Sequence, residues 1–191
     1  MQQIYARGTA LNIRGTATLA ALAKHPKCPP TLANAIQQGD VPNEQTLAEA
    51  LRAADGCSVL VAVLLAFDPR IEVHGASDIA ELGNYLHQRG NLSSGALDKL
   101  TLNLKAELTV LTDELVAGHP PVVVLVLARW KSGRIRIVVG GWGAAPRVAL
   151  DGPRAGGEEY ALQAATSASA DTRATATYRQ EKAVSFLQNI L

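Results

Sequence analysis

Two runs rich in branched apolar residues, 122–130 and 134–139, are separated only by Lys131, Ser132 and Gly133. β-Branched side chains suit a pleated, buried backbone, and a short polar linker ending in glycine reverses the chain tightly. This segment therefore predicts a β-hairpin, the strongest local signal in the sequence. Arg129, Lys131, Arg134 and Arg136 alternate along it and are expected on its solvent face. A break at Gly140-Gly141-Trp142-Gly143 precedes a third strand at 147–150. Helices are expected at 156–165 and 174–190, the last turning Ala183, Val184, Leu187 and Leu191 inward. The turn Ala117-Gly118-His119-Pro120 ahead of the hairpin reads as a domain boundary, dividing the chain into 1–116 and 117–191.

The first part mixes strands and helices. Short strands at 4–6 and 10–13 around Gly8-Thr9 predict an opening hairpin. Thr16 or Thr18 caps a helix at 19–24 that Pro26 stops, and a second helix starts on Pro30 and ends at Gly39, before a loop at 40–43. Residues 46–54 are helix-prone until Asp55-Gly56. The continuous apolar run 59–67 predicts a helix buried on all sides, ended by Pro69. A strand at 71–74, an amphipathic helix at 78–88 presenting Ile79, Leu82 and Leu86, a period-two strand at 97–104 and a further strand at 108–111 complete this part. The order defines an α+β chain, with a small antiparallel meander and helices at its C-terminal end.

Composition excludes several functions. Apolar residues make up 48% and charged residues 18% of the 191 positions, which describes a core-forming chain and not a disordered one. A net charge of +1, without a concentrated basic face, does not support nucleic-acid binding. Cys28 and Cys57 share no metal-ligand spacing, and the four histidines are scattered, so no metal site is expected. The apolar runs are too short to span a bilayer and the N-terminus has no signal-peptide core, which predicts a cytoplasmic protein. No Ser/His/Asp or Cys/His arrangement can be assembled from the spacing, so no self-contained catalytic site is identified.

Four stretches, taken together, resemble one family. They are LNIRGTATLAALAKHP at 11–26, NEQTLAEALRAADGCS at 43–58 followed by LLAFD at 64–68, RIVVGGWGAAPR at 136–147, and DTRATATYR at 171–179. In that order they are similar to the FAD-binding subunit of molybdenum hydroxylases of the xanthine oxidase and carbon monoxide dehydrogenase type. The resemblance implies that the chain begins after the family's N-terminal FAD-binding lobe. It makes 1–116 the second lobe of a flavin-binding domain and 117–191 the small C-terminal domain of the carbon monoxide dehydrogenase flavoprotein. Gly15, Thr16, Thr18, Thr46 and Ser58 match positions that would line the flavin. The implied setting is a molybdopterin-dependent oxidoreductase in which FAD passes electrons onward, with molybdenum-hydroxylase-like subunits or a second copy as partners.

In that family a pyrophosphate is held by backbone N–H groups of glycine-rich turns, because glycine permits close approach and the N–H dipoles match the charge. Here the turn corresponds to Thr46-Leu47-Ala48-Glu49-Ala50, where the family has threonine, a hydrophobic residue, two glycines and asparagine. Ala48 adds a Cβ and Glu49 adds a like charge. These substitutions point to a protein that no longer grips flavin by itself. Two other readings follow: a non-catalytic structural or assembly module, and half of a split subunit completed by another chain. Asp171, Arg173 and Arg179 are read as a buried ion network, as a partner contact or as capping and surface groups at the helix start, and Cys28 and Cys57 as inert small residues.

Overall fold

The computed structural model describes residues 2–38, 44–75, 80–93 and 96–191. The expected features at Gly39, 40–43 and Ile79 lie outside them. The chain divides into two compact units, Met1–Ala54 with Phe67–Lys105, and Asp55–Ala66 with Ala106–Leu191.

In the first unit, strands β1 (Ile4–Arg7) and β2 (Ala10–Arg14) form the opening hairpin, with Gly8 at φ 60° in the left-handed conformation its turn requires. With β3 (Arg70–Val73) and β4 (Leu97–Asn103) they make a four-stranded antiparallel sheet of order β1-β2-β4-β3. Alternation buries Leu11 and Ile13 of β2 and Leu100 and Leu102 of β4, while Leu97 is buried beyond the register shift opposite Glu72 and Val73. Helix α1 (Leu19–Ala23) is capped by Thr18, whose Oγ1 accepts from Ala21 N at 3.2 Å. Helix α2 (Pro30–Gln38) opens on Pro30, whose missing N–H costs nothing in a first turn. Helix α3 (Leu47–Ala53) buries Leu47, Ala48, Ala50 and Leu51. Helix α5 is shorter than expected, Leu82–Gln88, because Ala80 and Glu81 are extended: Ala80 O accepts from Ile71 N at 3.0 Å, and Glu81 bridges to Arg70.

The second unit is built on a meander of β5 (Glu107–Asp113), β6 (Val123–Arg129), β7 (Arg134–Gly140) and β8 (Arg147–Pro153), paired in that order. Helix α4 (Val59–Ala66), buried from Leu60 to Ala66, packs on one face of this sheet. Helices α6 (Glu158–Thr166) and α7 (Ala176–Ile190) cover the other. Leu125, Leu127, Ile135, Ile137 and Val139 share a core there with Leu162, Ala183 and Leu187. Every second residue of β6 faces each helix layer, which is why the strand is apolar from Val123 to Ala128 and not alternating.

Two expectations are corrected here. A single cut between 116 and 117 separates segments that belong together, since β5 pairs with β6 over seven residues and α4 packs on the same sheet. Nor does Arg136 lie on a free solvent face: its side chain is only 13% exposed and donates to Leu65 O of α4 at 3.1 Å, whereas Arg134 stays partly exposed at 37%. Both arginines also donate to the Asp151 carboxylate, which holds that carboxyl below its usual range.

Candidate functional site

Four of the five residues matched to a flavin wall lie in the first unit. There the chain at 15–19 runs beside the chain at 45–48. Leu19 N donates to Gln45 O at 2.9 Å, Leu47 N to Ala17 O at 2.8 Å and Ala48 N to Gly15 O at 2.9 Å, and Thr18 bridges to Thr46. Gly15 is required by packing: a Cβ there would lie 2.0 Å from Leu97 O. Thr18 is occupied as the cap of α1, and Thr16 is exposed. Ser58 belongs to the second unit, where its Oγ accepts from Val61 N at 3.3 Å in the first turn of α4.

Thr46 and Glu49 form a reciprocal cap on α3. Glu49 N donates to Thr46 Oγ1 at 3.3 Å, while Thr46 N and Thr46 Oγ1 donate to Glu49 Oε2 at 2.9 and 2.8 Å. This is the S/T-x-x-E capping box, two orphan donors satisfied by two side chains. The bonds from the Thr46 backbone and hydroxyl hold the Glu49 carboxyl below its ordinary range. Ala50 N donates to Thr46 O at 3.0 Å. Every backbone N–H from Thr46 to Ala50 is therefore engaged within the unit, and the Glu49 carboxylate itself takes the Thr46 N–H. Residues 46–50 do not fit an FAD pyrophosphate.

A second cluster lies in the second unit. Gly56 and Gly141 bring two chain segments into backbone contact: Gly141 N donates to Gly56 O at 2.6 Å, and Gly56 N to Gly143 O at 2.9 Å. Beside them Arg179 is fully buried at the entry of α7. Its guanidinium donates to Val122 O at 2.9 Å, to Ser169 O, to Ala174 O at 3.3 Å, to Gly141 O at 3.4 Å and to Asp171 Oδ1 at 2.8 Å. Trp142 lies under both Arg179 and Arg147, each guanidinium carbon 5.6 Å from its ring centroid. Arg173 donates to Gly141 O at 2.6 Å and to Cys57 Sγ at 2.8 Å. Burial pushes the Cys57 thiol up, against the pull of Arg173, and Sγ donates to Gly141 O at 3.4 Å. A protonated, buried thiol is a poor nucleophile. The cluster ties α4, the end of β7 and the start of α7 together and holds no arrangement for covalent chemistry.

Of the readings of Asp171, Arg173 and Arg179, the structure contains the ion network and, in part, the capping role, since Asp171 Oδ1 accepts from Arg179 and from Arg173 N and Ala174 N. What spacing did not reveal is Cys57 as its fourth member, 116 residues from Arg173. Burial works to raise the Asp171 carboxyl, but the Arg179 bond and the N–H groups of Arg173 and Ala174 outweigh it and lower it to about 2. A folded value below the unfolded one of about 3.9 means that this stabilisation is fully present above about pH 4 and is lost as the pH falls toward 2. Wild type and Asp171→Asn should thus differ in stability at neutral pH and converge near pH 2 in acid-unfolding experiments. A stability difference that did not change with pH would contradict this role.

Among the described residues no group of three or more His, Cys, Asp or Glu is placed to hold a metal ion, and no helix is long and apolar enough to cross a membrane. No protein-family model matches the sequence, and no curated protein is significantly similar to it. Solved structures do share its fold. The chain superposes on one from quinoline 2-oxidoreductase of Pseudomonas putida 86 with a TM-score of 0.72 and 17% identity, covering 98% of this chain and 75% of that one. For carbon monoxide dehydrogenase from Hydrogenophaga pseudoflava, lacking the Mo-pyranopterin moiety of the molybdenum cofactor, the values are 0.70, 16%, 97% and 75%. For reconstituted CO dehydrogenase from Oligotropha carboxidovorans they are 0.64, 14%, 97% and 75%. At such identity the likeness is one of fold.

Proposed function

We propose that the chain is a flavin-subunit-like component of a cytoplasmic, molybdopterin-dependent oxidoreductase that does not itself hold FAD through its Thr46 turn. The fold shared with chains of oxidoreductases supports the setting. The observation that carries the loss of flavin is the capping box: Glu49 takes the place of an external anion, and the N–H groups of Thr46 to Ala50 are engaged. Gly15, Thr18 and Thr46 then persist as structural residues of a former cofactor wall, Thr16 as an exposed remnant of it, and Ser58 as a helix cap. The chain's role becomes that of a structural or assembly module contacting molybdenum-hydroxylase-like subunits.

Titration of the purified protein with FAD tests this reading. The expected result is a colourless protein with no flavin binding up to about millimolar FAD, and a gain of affinity in Ala48→Gly/Glu49→Gly once a co-expressed chain supplies the first lobe. A yellow preparation carrying FAD would overturn the proposal. No gain in the double variant would remove Glu49 and Ala48 as its cause. Flavin binding that appears only when a second chain is co-expressed would favour a split subunit instead.

A further inference from the structure

Strand register segregates charge in the first unit. That unit carries nine arginines and lysines against eight aspartates and glutamates, a nearly neutral balance. One face of its sheet is apolar, with Leu11, Ile13, Leu100 and Leu102 fully buried. The other face collects Arg7, Arg14, Lys99 and Arg70, one cation from each of the four strands, and a single acid, Glu72. Spacing along the chain does not show this grouping, because every strand contributes to it. Arg14 stands directly opposite Lys99. Like charges so placed destabilise a sheet, and the ion pair of Lys99 with Glu72 offsets this only in part. Asp98, the neighbouring acid on β4, falls at the register shift, 4.0 Å from His74. Arg7 and Arg70 are exposed, and their guanidinium groups have no partner among the described residues. A row of cross-strand partners, Tyr5, Asn12, Thr101 and Arg70, runs over the middle of the face. Asn12 is only 9% exposed. Its Oδ1 accepts from Thr101 Oγ1 at 3.0 Å, which leaves its amide N–H donors without an acceptor among the described residues.

We propose that this face docks an extended acidic segment of another protein. Guanidinium groups bind carboxylates through paired N–H donors, and the face offers cations with almost no competing acid. Arg7 and Arg70 lie on the two edge strands, β1 and β3. With strands about 4.8 Å apart, the two arginines are separated by about 16 Å. An extended chain advances about 3.3 Å per residue, so carboxylates about five positions apart span that distance. Between them a main-chain carbonyl accepts from the Asn12 amide, the one buried donor in the middle of the face. A nucleic acid fits less well. Single strands stack successive bases on aromatic side chains, and the face has one, Tyr5, itself partly buried. A sheet face of about 19 by 17 Å suits a short segment and not a globular interface. The first sheet alone forms this surface, which does not depend on whether the Thr46 turn holds FAD.

Fluorescence anisotropy of a labelled decaglutamate peptide, titrated with the full chain at about 50 mM salt, tests it, with labelled decathymidylate as the rival ligand. The expected result is micromolar binding of the peptide that weakens as salt rises past about 150 mM, and weaker binding of the oligonucleotide. Arg7→Glu/Arg70→Glu should weaken peptide binding about tenfold or more. Lys27→Glu/Lys131→Glu makes the same change in net charge at two exposed lysines away from the face and should leave binding within about twofold. All four positions are exposed, so unchanged circular dichroism and melting separate lost binding from lost folding. Absence of peptide binding would overturn the proposal, as would an equal loss in both double variants or tighter binding of the oligonucleotide.

Discussion

Replacing Arg179 with methionine should cost the second unit about 3–5 kcal/mol, a large part of the stability of a domain this size. The reason is geometric. Gly141 O also receives Arg173 and Cys57, and Ala174 O also receives Asp171 N, so these acceptors keep a partner. Val122 O and Ser169 O would lose the Arg179 bonds, and an unsatisfied buried carbonyl costs about 1–3 kcal/mol. Asp171 would lose the cation that lowers its carboxyl. Lysine is a poor substitute, because one ammonium cannot reach acceptors spread around a planar fork. Arg179→Lys should therefore recover only a fraction of the loss. Urea unfolding of the three proteins reads this directly, and a methionine variant within about 1 kcal/mol of wild type would refute it.

The second large effect is expected from a single methyl group. Gly141→Ala would place a Cβ 2.1 Å from Val122 O at a φ of 114°, and Gly56→Ala would place one 1.6 Å from Trp142 O. In both cases the obstacle is backbone, which cannot rotate aside, and for Gly141 the left-handed φ adds strain of about 1–3 kcal/mol. Each variant should lose on the order of 3 kcal/mol or more, reaching an insoluble or molten second unit, since overpacking alone costs about 1–3 kcal/mol. Gly152→Ala is the control within the same unit: nothing lies within 4 Å of its added Cβ, and its φ is ordinary. It should change the unfolding free energy little, within about 0.5 kcal/mol. Equal effects at Gly152 and Gly141 would mean that the close approach of 56 and 141 is not what holds these segments.

Much of the fold was legible because it is written in local pattern. The hairpin of β6 and β7, the all-round apolar α4 and the starts of α1 and α2 follow from residues within a few positions of one another. The helix start displaced furthest shows the limit of that logic. Residues 78–81 carry helical periodicity, but Ala80 and Glu81 pair with β3, and that pairing overrides local preference. The candidate site was legible only in its composition. Ala48 and Glu49 were recognisable as wrong for a phosphate turn, and T-x-x-E is itself a helix-start signature. That the carboxylate bonds Thr46 N, and that Leu47 N and Ala48 N are spent on 15–17, required the register of two segments about 30 residues apart.

By itself, then, the sequence determined the α+β class, the hairpin of β6 and β7, most of the helices and the bulk and charge that Ala48 and Glu49 bring to the Thr46 turn. Those properties arise from periodicity, β-branching, capping chemistry and the bulk of single side chains, all short-range quantities. Only the tertiary structure decided that 55–66 belongs with 106–191, that Arg136 lies under α4 and that Cys57 joins Asp171, Arg173 and Arg179 in one network. These outcomes depend on which apolar surfaces cover one another and which buried donors find acceptors, and such pairings join residues up to 116 positions apart that no local pattern relates.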